Sequence, residues 1–325
     1  MSRHAPGLAG ATRSFKSAAP HHAEEAAPLV SLSDITEIEL LIVRRLREIT
    51  IGDHRSLAHG SGFDYVGLRD WQAGDRFSTI DWAQSSLTNF SPLIVREFEQ
   101  PSTATVMVVA DGSLSTRCGV QGVPIARGVA RALATIGMSA VFFQDLFGLI
   151  TFDAGLRDLS AVRPMIGRNH VIHCLDAYQT GHGLQQVPFA GSLSMTLASF
   201  MRKTGLVVFV SDFLFDEADE VIRELSLLHS THDVFIALVD AAFAFEMPRT
   251  SAGWIDTVDV ESGRSRMVSR AAFGQMAGQV RGWQDRVAGL VRDADLDIVR
   301  VSPDAVASDL ALAELVAERR LKKVA

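Results

Sequence analysis

The sequence predicts an α/β protein: a doubly wound, mainly parallel sheet, preceded by an N-terminal helix and a small β-rich extension. Three observations carry this. Continuous apolar, β-branched runs recur at Thr105–Ala110, 146–153, 206–213, Val234–Val239 and Leu296–Val301, the mark of strands buried on both faces. Segments with helical spacing alternate with them, at 124–140, 169–178, 192–203, 217–229, 270–292 and 303–320, as a parallel sheet requires. Two of the apolar runs end abruptly in acid, at Asp111 and Asp212, where ligands of open α/β sheets are held.

The 325 residues are 47% hydrophobic and 21% charged, which fits one large domain or two smaller ones. A formal charge of −7 argues against nucleic acid, since phosphate neutralisation needs a clustered basic surface. The two cysteines, Cys118 and Cys174, cannot form a disulfide framework or a four-cysteine zinc site. No apolar run approaches the roughly 20 residues of a bilayer span, and the N-terminus lacks a signal-peptide core. These features point to a soluble cytoplasmic protein with no membrane insertion.

In chain order, residues 1–28 are rich in Ala, Gly, His and Ser without apolar period and read as a disordered tail. Residues 29–100 read as a helix and a β-rich segment. Helical signals begin at Ser31–Asp34, and Ile35, Ile38, Leu41, Ile42, Leu46 and Ile49 form one stripe suited to packing on the protein's own core. Residues 52–100 are dense in Gly, Asp and Arg with aromatics between, and Phe63/Tyr65 and Leu93/Val95 suggest short antiparallel strands. Arg69, Arg76, Arg96, Asp70, Asp75 and Asp81 could form a salt-bridged lattice, but exposed pairs contribute only about 0–1 kcal/mol each. Two readings follow: a polar surface whose Trp71 and Trp82 pack on the main sheet, or a docking surface built from Arg69, Trp71, Asp75, Arg76, Asp81 and Trp82. Residues 101–325 hold the main α/β domain, with a hairpin from 156–162 following the second strand, Gly205 ending a helix, and an inserted hairpin at 254–268 turning at Glu261-Ser262-Gly263.

The chemistry gathers after the first buried strand. Asp111, Ser113 and Ser115, in the pattern D-x-S-x-S, offer three hard oxygens at alternate positions, a set suited to Mg²⁺. The same Asp111 and Ser113 would also serve to cap a turn and helix. If the strands ending at Asp111 and Asp212 are neighbours, two bare carboxylates roughly 5 Å apart repel by about 3 kcal/mol at an effective dielectric near 20. A divalent cation removes that penalty; a shared proton or a bound Arg would substitute. His170 and His173 share a helix face with no acid to complete a zinc site. Neither a nucleotide-binding glycine motif nor a G-x-S-x-G elbow occurs.

D-x-S-x-S after a buried strand resembles the metal-ion-dependent adhesion site of von Willebrand factor A domains. Residues 60–82 resemble the hallmark segment of the bacterial domain-of-unknown-function family numbered 58, through Phe63-Asp64, Leu68-Arg69, Trp71, Gly74-Asp75 and Ile80-Asp81-Trp82. The resemblance runs on to about residue 268. It implies a von Willebrand factor A-like domain, often encoded beside a MoxR-type AAA+ ATPase. It also implies metal ligands at Asp111, Ser113, Ser115 and Asp212, and a Thr between them for which Ser192 is the best match and Thr196 the competitor.

The expected function is a non-enzymatic, Mg²⁺-dependent protein-binding module, with Mn²⁺ or Ca²⁺ as substitutes. A MoxR-type AAA+ ATPase would be the partner, and the pair would mature or load metal into a client enzyme. The rivals are a Mg²⁺-dependent hydrolase using Asp111 and Asp212, which lacks an obvious general base, and a scaffold whose metal site is vestigial.

Overall fold

The computed structural model describes residues 28–53, 64–73, 75, 77, 80–99, 103–120, 122–153, 156, 158–189, 191–245, 254–258, 265–302 and 306–322. Residues 1–27, Arg76 and the turn at 261–263 lie outside these, and so does the side chain of Arg96.

The chain enters through α1 (Leu32–Asp53). Ser31 and Asp34 cap it reciprocally: the Ser31 N–H donates to the Asp34 carboxylate at 2.8 Å, and the Asp34 N–H to Ser31 Oγ at 3.1 Å. The predicted stripe is buried, with Ile35, Ile38, Ile42 and Leu46 all in the core. An antiparallel pair follows, β1 (Asp64–Asp70) and β2 (Ile94–Glu99), with the short helix α2 (Trp82–Leu87) between them.

The main sheet begins with β3 (Thr105–Asp111). A 3₁₀ turn at Leu114–Arg117 and a small hairpin of β4 (Gly119–Val120) and β5 (Val123–Pro124) lead into α3 (Ile125–Phe142). Then come β6 (Leu146–Asp153), β7 (Asp158–Met165), α4 (Arg168–Thr180), β8 (Gln185–Val187), α5 (Leu193–Leu197) and β9 (Leu206–Ser211). The C-terminal part holds α6 (Ala218–His229), β10 (Asp233–Val239), the antiparallel pair β11 (Trp254–Val258) and β12 (Ser265–Ser269), α7 (Arg270–Asp293), β13 (Asp297–Val301) and α8 (Val306–Lys322).

Seven strands form one sheet in the order β13-β10-β9-β3-β6-β7-β8. The five from β13 to β6 are parallel, and β7 and β8 turn antiparallel at one edge. Without β8, the strands in chain order lie 3-2-1-4-5-6, a doubly wound arrangement that reverses direction between β3 and β9. The central strands β3 and β9 are buried on both faces, which is why they read as unbroken apolar runs. Helices α1, α3, α4 and α8 pack against one another, while α5, α6 and α7 form a second set.

The structure adjusts several expectations. The predicted helix 192–203 ends at Leu197. Gly205 does more than stop it: a side-chain carbon there would fall 2.5 Å from the Thr105 carbonyl, so the close approach to β3 demands glycine. Contrary to the expectation that no apolar run nears a membrane span, α3 is long and apolar enough for one, although 78% of it is buried inside this fold. Trp82 does not pack on the main sheet; it is 58% exposed. Of the predicted lattice, Arg69 and Asp75 form an ion pair, and Asp81 caps α2, accepting from the Gln84 N–H at 3.1 Å.

Candidate metal centre

The topology brings Asp111 and Asp212 to one place. Strand β3 pairs with β9 in parallel register from Val106 beside Leu206 to Ala110 beside Val210. The two chains therefore end side by side at the switch point, with Asp111 level with Ser211 and Asp212 one residue beyond. Both carboxylates have no exposed surface.

Hydrogen bonds tie the two ends together. The Ser211 hydroxyl donates to Asp111 Oδ2 at 2.5 Å, and the Ser113 N–H donates to Asp111 Oδ1 at 2.9 Å. Ser115 Oγ donates to Asp212 Oδ2 at 3.0 Å, and the Leu214 N–H donates to Asp212 Oδ1 at 2.9 Å. Ser113 Oγ and Ser115 Oγ are 2.9 Å apart. Asp111, Ser113, Ser115 and Asp212 thus form one connected group of oxygens.

The electrostatics of the group are unbalanced. Burial pushes the Asp111 carboxyl above its ordinary range, against hydrogen bonds from Ser113 and Ser211 that favour the anion. Burial and then the charge of Asp111 push Asp212 up to about 7. Part-buried Tyr178, whose hydroxyl donates to the Asp111 carbonyl at 2.8 Å, is pushed well above its ordinary value by burial and by both acids. The leading charges felt by Asp111 and Asp212 come from other carboxylates, Asp153 on Asp111 and Asp111 on Asp212.

The donor set fits a hard divalent cation. Two carboxylates and two hydroxyls are all oxygen, and Mg²⁺ accepts few protein ligands while keeping several waters. Among the described residues no group of three or more His, Cys, Asp and Glu side chains could hold a metal, so any ion here must rely on the serine hydroxyls.

Ser192 has a different visible role. Its hydroxyl caps α5, accepting from the Met195 N–H at 3.2 Å. Buried Thr196, the competitor, turns its hydroxyl onto the Ser192 carbonyl at 3.0 Å. The structure therefore gathers four of the five candidate ligands and shows no hydrogen bond from Ser192 to them.

Two supporting residues escaped sequence reasoning. From α7, Trp283 Nε1 donates to the Phe213 carbonyl at 2.7 Å, and Gln284 Nε2 donates to the Asp212 and Val239 carbonyls at 3.0 and 2.8 Å. They hold the turn after β9, where Phe213 adopts a positive φ of 56°. Seventy residues of intervening chain leave no local signal for this contact. Ser211 was visible beside Asp212, but its hydrogen bond to Asp111 depends on the β3–β9 register.

The candidate docking residues form a looser group. Arg69 grips Asp75 with two bonds of 2.7 and 2.8 Å, which holds the Asp75 carboxyl down at about 2. Trp71 stacks on Phe77 at 6.2 Å, and Phe77 is 71% exposed. Asp81 caps α2 and Trp82 projects outward.

Known proteins place the chain in a family. Uncharacterized proteins of Mycobacterium bovis and Mycobacterium tuberculosis are 26% identical over 237 residues, 71% of this chain and 71% of each relative. Among solved structures, it is similar to the conserved hypothetical protein BatB from Bacteroides thetaiotaomicron, with a TM-score of 0.36 and 15% identity. An aerotolerance-related membrane protein from Bacteroides fragilis gives 0.35 and 14%. Each match covers 67% of this chain and 99% of the other. A family model described as protein of unknown function DUF58 matches residues 67–277, well over half the chain, and the protein belongs to that family.

Proposed function

We propose that this protein is a non-enzymatic, metal-dependent binding module of the von Willebrand factor A type, acting as adaptor or co-chaperone of a MoxR-type AAA+ ATPase in the maturation or metal loading of a client enzyme. The observation that carries the metal reading is the pair of buried acids, Asp111 and Asp212, with raised proton affinity and, among the described residues, no hydrogen bond or ion pair from Lys, Arg or His. Such a pair is stable only if a proton or a cation balances it. Asp111, Ser113, Ser115 and Asp212 would hold Mg²⁺, and Mn²⁺ or Ca²⁺ would substitute. Bound there, the ion supplies an open coordination position for an acidic side chain of the partner.

The doubly wound strand order, with the acids at the switch point, supports the von Willebrand factor A reading. The hydroxyls around the acids already have partners, and the part-buried Tyr178 hydroxyl is engaged with a carbonyl. Among the described residues no His side chain hydrogen-bonds to either acid, which favours binding over hydrolysis. Exposed Trp82 and Phe77 and the Arg69–Asp75 pair offer the second part of the ATPase contact.

The test is capture of the ATPase by tagged protein in Mg²⁺ and in EDTA, with wild type and Asp111→Ala. Capture should be lost in EDTA and in the variant. Equal capture in all four arms would end the metal-dependent reading.

A further inference from the structure

We propose that the open edge of the main sheet carries a second binding site, a groove that takes an extended peptide segment with alternating acidic and apolar residues from a partner protein. This site lies apart from the four gathered oxygens and does not depend on the ion.

The groove follows from the strand pattern. Strand β8 is the last of the seven and pairs only with β7, so its outer side has no strand beside it among the described residues. Ala161 sits beside Gln185 and Leu159 beside Val187. Arg163 of β7 and Gln185 and Val187 of β8 line one groove together. Met195 of α5 and Phe200 just beyond it also line the groove. The half-open groove has a volume of about 340 Å³, within the range of ligand-binding clefts.

The lining states what would fit. Among the described residues its one charged member is Arg163, on a protein whose formal charge is −7. The Arg163 guanidinium lies 5.8 Å over the Phe200 ring, which holds it in place without using its donors. Among the described residues no carboxylate pairs with it. Gln185 and Gln186 offer amide donors and acceptors. Met195 is 64% exposed, and its flexible thioether suits varied apolar side chains. An edge strand with no neighbour among the described residues can take an added strand, held by main-chain hydrogen bonds. A carboxylate would meet Arg163 as a charge-assisted pair, and an apolar residue would seat between Met195 and Phe200.

The experiment is a fluorescence-anisotropy titration of the full chain in EDTA, which separates this site from the metal reading. The probe is a fluorescein-labelled nine-residue peptide, Thr-Glu-Thr-Leu-Thr-Glu-Thr-Leu-Thr, whose extended form presents Glu and Leu on one face. Saturable binding is expected. Replacing both Glu by Gln in the probe should weaken it about five- to tenfold, the scale of one charge-assisted pair. Arg163→Glu should do the same or more, and Met195→Asp should weaken it as well. Absence of saturable binding to wild type, or equal binding of the Glu and Gln peptides, would overturn the proposal. The peptide comparison decides on unaltered protein should a variant fail to fold.

Discussion

The crest of the main sheet and the β1–β2 segment treat the same chemical group in opposite ways. At the crest, burial beside Asp111 pushes Asp212 up to about 7. In the β1–β2 segment, the Arg69 fork holds Asp75 at about 2. Asp75 is satisfied by its neighbour and partly open to water, so it asks nothing of a ligand. Asp212 is enclosed and, among the described residues, has only hydroxyl and backbone N–H partners, so a proton or a cation completes its environment. A third acid sharpens the contrast. Asp309 of α8 is equally buried, but Arg131 of α3 meets it at 2.6 Å and Thr135 donates to it at 3.2 Å. Burial by itself does not mark a functional acid; burial without a built-in counter-charge does.

This contrast can be broken by experiment. The largest effect is expected at the completed pair. Arg131→Ala leaves Asp309 buried and unpaired, which should lower stability by about 3–5 kcal/mol in urea unfolding. Replacing both residues with apolar ones, Arg131→Met with Asp309→Leu, should restore most of the loss. Full destabilisation in the double variant would show that the charges themselves stabilise the fold.

The next effect is at the uncompleted pair. Mg²⁺ at a hundredfold excess over its dissociation constant should stabilise wild type by about 2.7 kcal/mol, and Asp212→Ala should abolish the shift. A wild-type thermal midpoint indifferent to Mg²⁺, Mn²⁺ and Ca²⁺ would mean the acids are balanced by a proton alone.

A shallower effect is spread over pH. The folded pKa of Asp212, about 7, lies above the ordinary 3.8 of an unfolded chain. Between these values the folded state binds a proton that the unfolded state does not. Its contribution is therefore complete below about pH 4 and is lost as pH rises through 7. In EDTA, wild type should lose stability over this window relative to Asp212→Asn. Mg²⁺ binding should strengthen over the same window, because the ion displaces the proton.

The smallest effect is expected in the β1–β2 segment. Arg69→Ala should leave the urea midpoint of the whole chain almost unchanged, since the pair is near the surface. Trp82→Ala, exposed in the structure, should likewise spare stability while reducing ATPase capture.

Much of the architecture could be read from short-range patterns. The β-branched run ending at Asp111 and the one ending in Ser211-Asp212 were legible as buried strands, because a strand covered on both faces must be apolar at every position. The α1 stripe was legible because its period matches the helix. Less was legible where a residue serves a distant partner. Nothing near Gly205 announces the Thr105 backbone against it, and nothing near Gln284 announces the Asp212 carbonyl. The cap role of Ser192 and that of Asp81 follow from where α5 and α2 begin, and helix boundaries are the part of a fold that local pattern specifies least.

The amino-acid sequence by itself determined the long strands of the main sheet, the long helices between them and the acids that end β3 and β9, since each depends on periodicity and residue type within a few positions; the short elements α2, β4, β5 and β8 carry too few residues to show a period. Tertiary structure alone decided that those two strands are neighbours, that Ser211 and Ser115 bridge their acids, and that no Arg or Lys among the described residues hydrogen-bonds to them. The reason is that charge balance is a property of surroundings: the same carboxylate becomes a solved pair at Asp75 and Asp309 or an open site at Asp212, according to what the fold brings beside it.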